Sequence, residues 1–174
     1  SLNSPEDEGG PAISSDNQKL YFSSNRSGTR EEDIFVAERI SPESGQEGFP
    51  KFGEAESARH LNSRDHDIQA ALTRRGEHVF LASDRDSTKD RGYGVYFSRV
   101  VEGKSLKPEK VDLYIKDGNV TDPSVRMDGF DLLFSADHEA ESDEAEDSYR
   151  LYRSTTREVI AYTDLSRWEQ FKEL

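Results

Sequence analysis

The densest set of reactive groups in the chain is DHEAESDEAED, Asp137 to Asp147, with seven carboxylates in eleven residues. Oxygen ligands of this kind suit calcium, a hard cation. The segment lacks the D-x-[DN]-x-[DN]-G order that fixes an EF-hand loop, so the expectation is a solvated acidic loop with no metal and no cofactor. Asp84, Asp86 and Asp90 in SDRDSTKDRGYG raise the same chemistry and lack the same order. The four histidines, His60, His66, His78 and His138, show no H-E-x-x-H spacing for zinc. There is no G-x-S-x-G to hold a nucleophilic serine, and GYG at 92 to 94 lacks the third glycine of a dinucleotide loop. The reading from motifs is therefore a non-catalytic protein.

The elements that must position these groups repeat. LNSPEDEGGPAISSDNQKLYFSSNRSG from Leu2 and LNSRDHDIQAALTRRGEHVFLASDRDS from Leu61 carry the same features in the same order, 59 residues apart. Leu2-Asn3-Ser4 corresponds to Leu61-Asn62-Ser63, Leu20-Tyr21-Phe22 to Val79-Phe80-Leu81, and Asn25-Arg26 to Asp84-Arg85. A third copy, GNVTDPSVRMDGFDLLFSADHE, places Leu132-Leu133-Phe134 at the apolar triplet and Asp137-His138 at the Asn-Arg position, 53 residues further on. Each copy reads as strand, tight turn, strand, polar loop, strand: Asp16-Asn17, Arg75-Gly76 and Asp128-Gly129 are turn residues, and DIFVAERI, GVYFSRV and RLYRSTT follow the loops. The triplets do not alternate apolar with polar, which predicts strands buried on both faces. GFPKFGEAESARH (48 to 60) and SLKPEKVDLYIKD (105 to 117) each carry a proline before an outer strand, where a missing N–H is tolerated. Four antiparallel strands repeated radially are the blades of a β-propeller.

At SSDNQKLYFSSNRSG…DIFVAER the chain resembles the TolB-like, WD-repeat-like propeller family. Pro11, Asp16, Leu20 to Phe22, Ser24 to Arg26, Gly28, Asp33, Ile34 and Phe35 match its repeat. The second copy keeps Gly76, Ser83 to Arg85, Val95 and Tyr96, with Ala70 for the proline and Arg75 for the aspartate. The third keeps Pro123, Asp128, Gly129, Leu151 and Tyr152, with His138 for the arginine. The expected architecture is a single all-β domain over 1–174, with blades at about 2–58, 59–117 and 118–163 and a short helix at about 164–174 built on Leu165, Trp168 and Phe171. Three blades do not close a ring of the usual four to eight. The chain then forms an open arc, pairs with a second copy as a homodimer, or lacks neighbouring blades.

Function is read from position. Asn25, Arg26, Asp84, Arg85, Asp137 and His138 recur at one place in the repeat, which marks them as structural: each unit meets the same local problem there. If the first strand of each blade lines a central channel, Glu8, Asp67, Gln69, Thr121 and Asp122 lie near its mouth and are the partner-binding candidates. The resemblance implies binding of a protein or cell-envelope component, in the periplasm or outside the cell. The alternative is a propeller glycan hydrolase that uses channel carboxylates as acid and base.

Composition narrows the partners. The formal charge is −13 and the hydrophobic fraction 32%, below the usual about 45–50%. Such a field repels a polyanion, which argues against nucleic acid. No apolar run approaches the roughly 18 residues of a membrane span, and the absence of cysteine leaves sheet packing without disulfide support.

Overall fold

The computed structural model describes residues 2–26, 31–40, 51–74, 76–88, 92–113, 115, 118–125, 131–137 and 149–155. Every regular element among them is a β-strand, and the strands form three antiparallel sheets. The first sheet runs β1 (Glu8–Ile13), β2 (Lys19–Ser24), β3 (Asp33–Ile40) and β4 (Lys51–Ser57), in that order. The second runs β5 (Asp67–Leu72), β6 (His78–Ser83), β7 (Gly94–Val101) and β8 (Lys104–Ser105), with β9 (Glu109–Lys110) also on β7. The third is β10 (Val120–Val125), β11 (Asp131–Asp137) and β12 (Tyr149–Thr155). The acidic loop beyond Asp137, the Asp128-Gly129 turn, His138 and the helix expected at 164–174 lie outside the described residues.

Local chemistry explains the hairpins. Ser14 accepts the Lys19 N–H on its hydroxyl at 2.8 Å, and its carbonyl accepts the Asn17 N–H, also at 2.8 Å. Thr73 repeats both bonds with His78 and Gly76. Asn17 and Gly76 supply the left-handed backbone that closes each turn, with φ of 56° and 63°. The apolar triplets become β2, β6 and β11, the second strand of each sheet. In the second sheet Val79, Phe80, Leu81 and Ala82 are all buried, as strands covered on both faces require.

The expected outer strands differ in quality. In the first sheet the strand is continuous, as β4. In the second it is reduced to two-residue pairings, β8 and β9, on either side of Pro108, which has no N–H to continue the ladder. Among the described residues the third sheet has three strands rather than the expected four.

Packing follows one rule throughout. The first strand of each later sheet lies against the preceding sheet: β5 meets β1, β2 and β3, and β10 meets β5, β6 and β7. The first seam buries Tyr21 and Ile34 against Leu61, Ala70, Val79 and Leu81. The second buries Phe80, Val95 and Phe97 against Val120, Leu132, Phe134 and Ala136. Each seam is also tied by an equivalent backbone bond, Asp67 N–H to the Glu32 carbonyl (2.8 Å) and Val120 N–H to that of Tyr93 (2.9 Å).

Candidate functional site

The three first strands share a defect. Register slips by one residue between Gly9 and Ala12, between Ile68 and Ala71, and between Thr121 and Ser124. At each slip one residue is left-handed: Gly10 (φ 55°), Gln69 (φ 57°) and Asp122 (φ 51°). These are β-bulges, which re-aim a side chain away from the ladder. Glycine takes this backbone without strain, whereas Gln69 and Asp122 hold it at a cost of about 1–3 kcal/mol each, a cost met most often at functional sites.

The bulges of neighbouring sheets meet. A β-carbon placed on Gly10 would lie 3.2 Å from the Gln69 Cα, so the close approach of β1 to β5 also favours glycine there. The Gln69 N–H donates to the Ser23 hydroxyl of the first sheet at 2.9 Å. Its carboxamide faces the third sheet: Oε1 accepts the Asp122 N–H at 2.9 Å, and Nε2 donates to the Asp122 carboxylate. Thr121 donates from its hydroxyl to the other Asp122 oxygen at 3.0 Å. Three of the five residues expected at a channel mouth, Gln69, Thr121 and Asp122, therefore form one connected group. Within it Asp122 is exposed, Gln69 half-buried and Thr121 buried. Gly10, the third bulge, was not singled out in the sequence; its only signal is the Gly-Gly pair before Pro11, aligned with Ile68-Gln69 and Thr121-Asp122.

Glu8 and Asp67 lie apart from this group. Asp67 has no solvent exposure. One of its oxygens pairs with Arg85, and the other accepts from the Ser63 backbone N–H and hydroxyl. Arg85 also donates to the Leu61 carbonyl (2.6 Å) and the Ser83 hydroxyl (2.9 Å), and its guanidinium lies 4.8 Å from the centre of the Tyr96 ring. The first copy builds the same network around Glu8. Arg26 reaches Glu8 (3.2 Å), the Leu2 carbonyl (2.5 Å) and the Ser24 hydroxyl (3.1 Å), and it covers Phe22 and Phe35. Hydrogen bonds from Ser4, more than the nearby Arg26, hold the Glu8 carboxyl below its usual range. In the third copy Val120 occupies the acid position, and the sequence has His138 where the arginine stood, so acid and arginine are replaced together.

The residue at the Asn25 position of the repeat acts the same way in all three copies, before Arg26, Arg85 and, in the third, His138. Asn25 accepts the Asp7 N–H (3.0 Å), Asp84 accepts the His66 N–H (2.7 Å), and Asp137 accepts the Asn119 N–H. Asp86 accepts the Tyr96 hydroxyl at 2.8 Å. Among the described residues no group of three or more His, Asp or Glu side chains is arranged to hold a metal ion.

A second set of titratable groups lies at the first seam and was not anticipated. Burial pushes the Asp33 carboxyl up to about 6, and the Asp67 carboxylate adds to the shift. His66 contacts Glu31 at 3.0 Å, and its ring lies 6.1 Å from that of Tyr93. Burial, followed by the Asp84 carboxylate, raises the Tyr93 phenol to about 12.

The chain matches no protein-family model and no curated protein sequence. Among the described residues no helix is long and apolar enough to cross a membrane.

Proposed function

We propose that the three sheets are consecutive blades of a TolB-like β-propeller and that the chain is a non-catalytic module binding a protein or cell-envelope partner, in the periplasm or outside the cell. The observation that carries this reading is the contrast between repeated and unrepeated polar residues. Repeated ones (Asn25 and Arg26, Asp84 and Arg85) are consumed in bonds within their own sheet and its entry loop. Unrepeated ones, half-buried Gln69 and exposed Asp122, bridge two sheets on strained bulges where the first strands meet. A rim of this kind offers a carboxylate and an amide to a cationic or hydroxyl-rich surface.

The experiment compares capture of envelope proteins and peptidoglycan fragments by the wild type with capture by Gln69→Ala and Asp122→Ala. The reading expects capture to fall at least tenfold in both variants. Capture unchanged in both would overturn it.

The glycan-hydrolase alternative has one feature in its favour, the carboxyl of Asp33 held near 6 beside a second carboxylate. A carboxyl of that kind can act as general acid near neutral pH. Against it, Asp67 is fully enclosed and bound by Arg85 and Ser63, so no water or sugar reaches it. A glycan hydrolysis screen separates the readings: turnover abolished by Asp33→Asn supports the enzyme, and no turnover supports the binding module.

A further inference from the structure

Among the described residues the first and third sheets present two unlike outer faces, and each matches half of a seam that the molecule already builds twice. At the seam between the first and second sheets, Asn62 clasps a backbone residue of the sheet before it. Its carboxamide oxygen accepts the Ile34 N–H and its nitrogen donates to the Ile34 carbonyl, both at 2.9 Å. Beside it Leu61, Ala70 and Val79 fill the seam. The corresponding residues at the start of the chain are Leu2, Asn3, Pro11 and Leu20. Asn3 and Pro11 are exposed, and Leu2 and Leu20 are half-buried. Leu2, Asn3, Pro11 and Leu20 line an open groove of about 220 Å³ on the outer face of β1 and β2. Among the described residues Asn3 has no counterpart to the Ile34 backbone.

The opposite end carries the complementary half. Register places Ile34, Val95 and Leu151 at one position of the third strand of each sheet, opposite Ser23, Ala82 and Ser135. Ile34 is 0% exposed and Val95 1%, each covered by the following sheet, whereas Leu151 is 74% exposed. Tyr21, Phe80 and Leu133 are equivalent in the same way, and of the three only Leu133 is exposed, at 38%. In Leu133 and Leu151 the third sheet presents exposed aliphatic side chains at the positions that the internal seams cover.

We propose that a second copy of this chain docks head to tail, with Leu2, Asn3 and Leu20 of one copy seated over Leu133 and Leu151 of the other. The Asn3 carboxamide takes the backbone N–H and carbonyl of Leu151 in the other copy, as Asn62 takes those of Ile34. The contact is heterologous and joins unlike faces, so two copies close into a pair only if both seams form at once. Each copy carries a formal charge of −13. Mutual repulsion opposes the contact and salt screens it, so association strengthens with ionic strength.

The test is solution mass by light scattering over a concentration series, at low salt and at about 0.3 M salt, where charges beyond roughly 6 Å are screened. The expected result is a species of at least twice the 19.7 kDa chain mass, favoured by salt. Leu151→Arg should return it to the chain mass. Val101→Arg, at another exposed aliphatic position, on β7, should leave it assembled. Asn3→Ala should weaken association roughly tenfold, as for the loss of a hydrogen-bonded pair. Because the chain has no cysteine, mixing Asn3→Cys with Leu151→Cys chains under oxidation should yield a disulfide-linked pair that neither variant forms alone. A mass equal to one chain at all concentrations and salts, or an assembly that Leu151→Arg leaves intact, would overturn the proposal. Circular dichroism of Leu151→Arg checks its fold, and the cysteine pair keeps the proposal open to refutation if that variant does not fold.

Discussion

Replacing Arg85 by methionine removes the cation from a carboxylate that has no access to water. Asp67 would keep its bonds from Ser63 but lose its counter-charge in a fully buried position. Breaking a buried pair by removing one partner costs about 3–5 kcal/mol. The Leu61 carbonyl also loses its side-chain donor, while the Ser83 hydroxyl keeps only the backbone N–H of residue 85. An expected loss of about 4 kcal/mol is a large share of the roughly 5–15 kcal/mol of a typical domain. The third copy points to the compensating change, because Val120 occupies its acid position. Asp67→Val combined with Arg85→Met should recover much of the loss, leaving a positive coupling of about 2 kcal/mol or more. Urea unfolding followed by far-ultraviolet circular dichroism, on the wild type, both single variants and the double variant, measures the cycle. A loss below about 1 kcal/mol for Arg85→Met, or additive single effects, would refute the claim that this pair is a buried, mutually dependent unit.

The other expectations concern the seams. Asp33 favours its protonated form in the fold, so its contribution is fully present below its unfolded value of 3.8 and is lost as pH rises through about 6. Because the group is only half-buried, solvent screening cuts the effect to about 1 kcal/mol; Asp33→Asn should stabilise the protein by that amount at pH 7–8 and hardly at all below pH 4, as urea midpoints at the two pH values would show. Asn62→Ala leaves the Ile34 N–H without its acceptor at a buried seam and should cost about 1–3 kcal/mol, whereas Asn3→Ala should leave the stability of the single chain nearly unchanged; equal losses would contradict the assignment of Asn3 to an open seam. Gly10→Ala adds a β-carbon 3.2 Å from the Gln69 Cα at a left-handed residue and should cost about 1–2 kcal/mol in the same assay.

Much of the scaffold was legible in the sequence because each unit must make the same hairpin. LYF, VFL and LLF fall on β2, β6 and β11, and the turn residues Asn17 and Gly76 have the left-handed backbone their types suggest. The outer strand of the second sheet was less legible, since Pro108 breaks a ladder that the flanking apolar residues suggest is continuous. Among the candidate residues, the positions of Glu8 and Asp67 depend on partners far away in sequence: each acid is claimed by an arginine 18 residues on, and that pairing cannot be read from the first strand alone. The bulges were hidden for a different reason. Glutamine carries no signature of left-handed backbone and aspartate a weaker one than glycine, and the meeting of Gln69 with Asp122 joins residues 53 apart in sequence.

Amide hydrogen exchange of the chain, alone and mixed with the envelope proteins and peptidoglycan fragments of the capture experiment, tests the proposed binding role most directly. The account predicts slowed exchange confined to Ile68 to Ala71 and Thr121 to Ser124, where the bulged strands meet. Protection elsewhere, with these two segments unchanged, would contradict it.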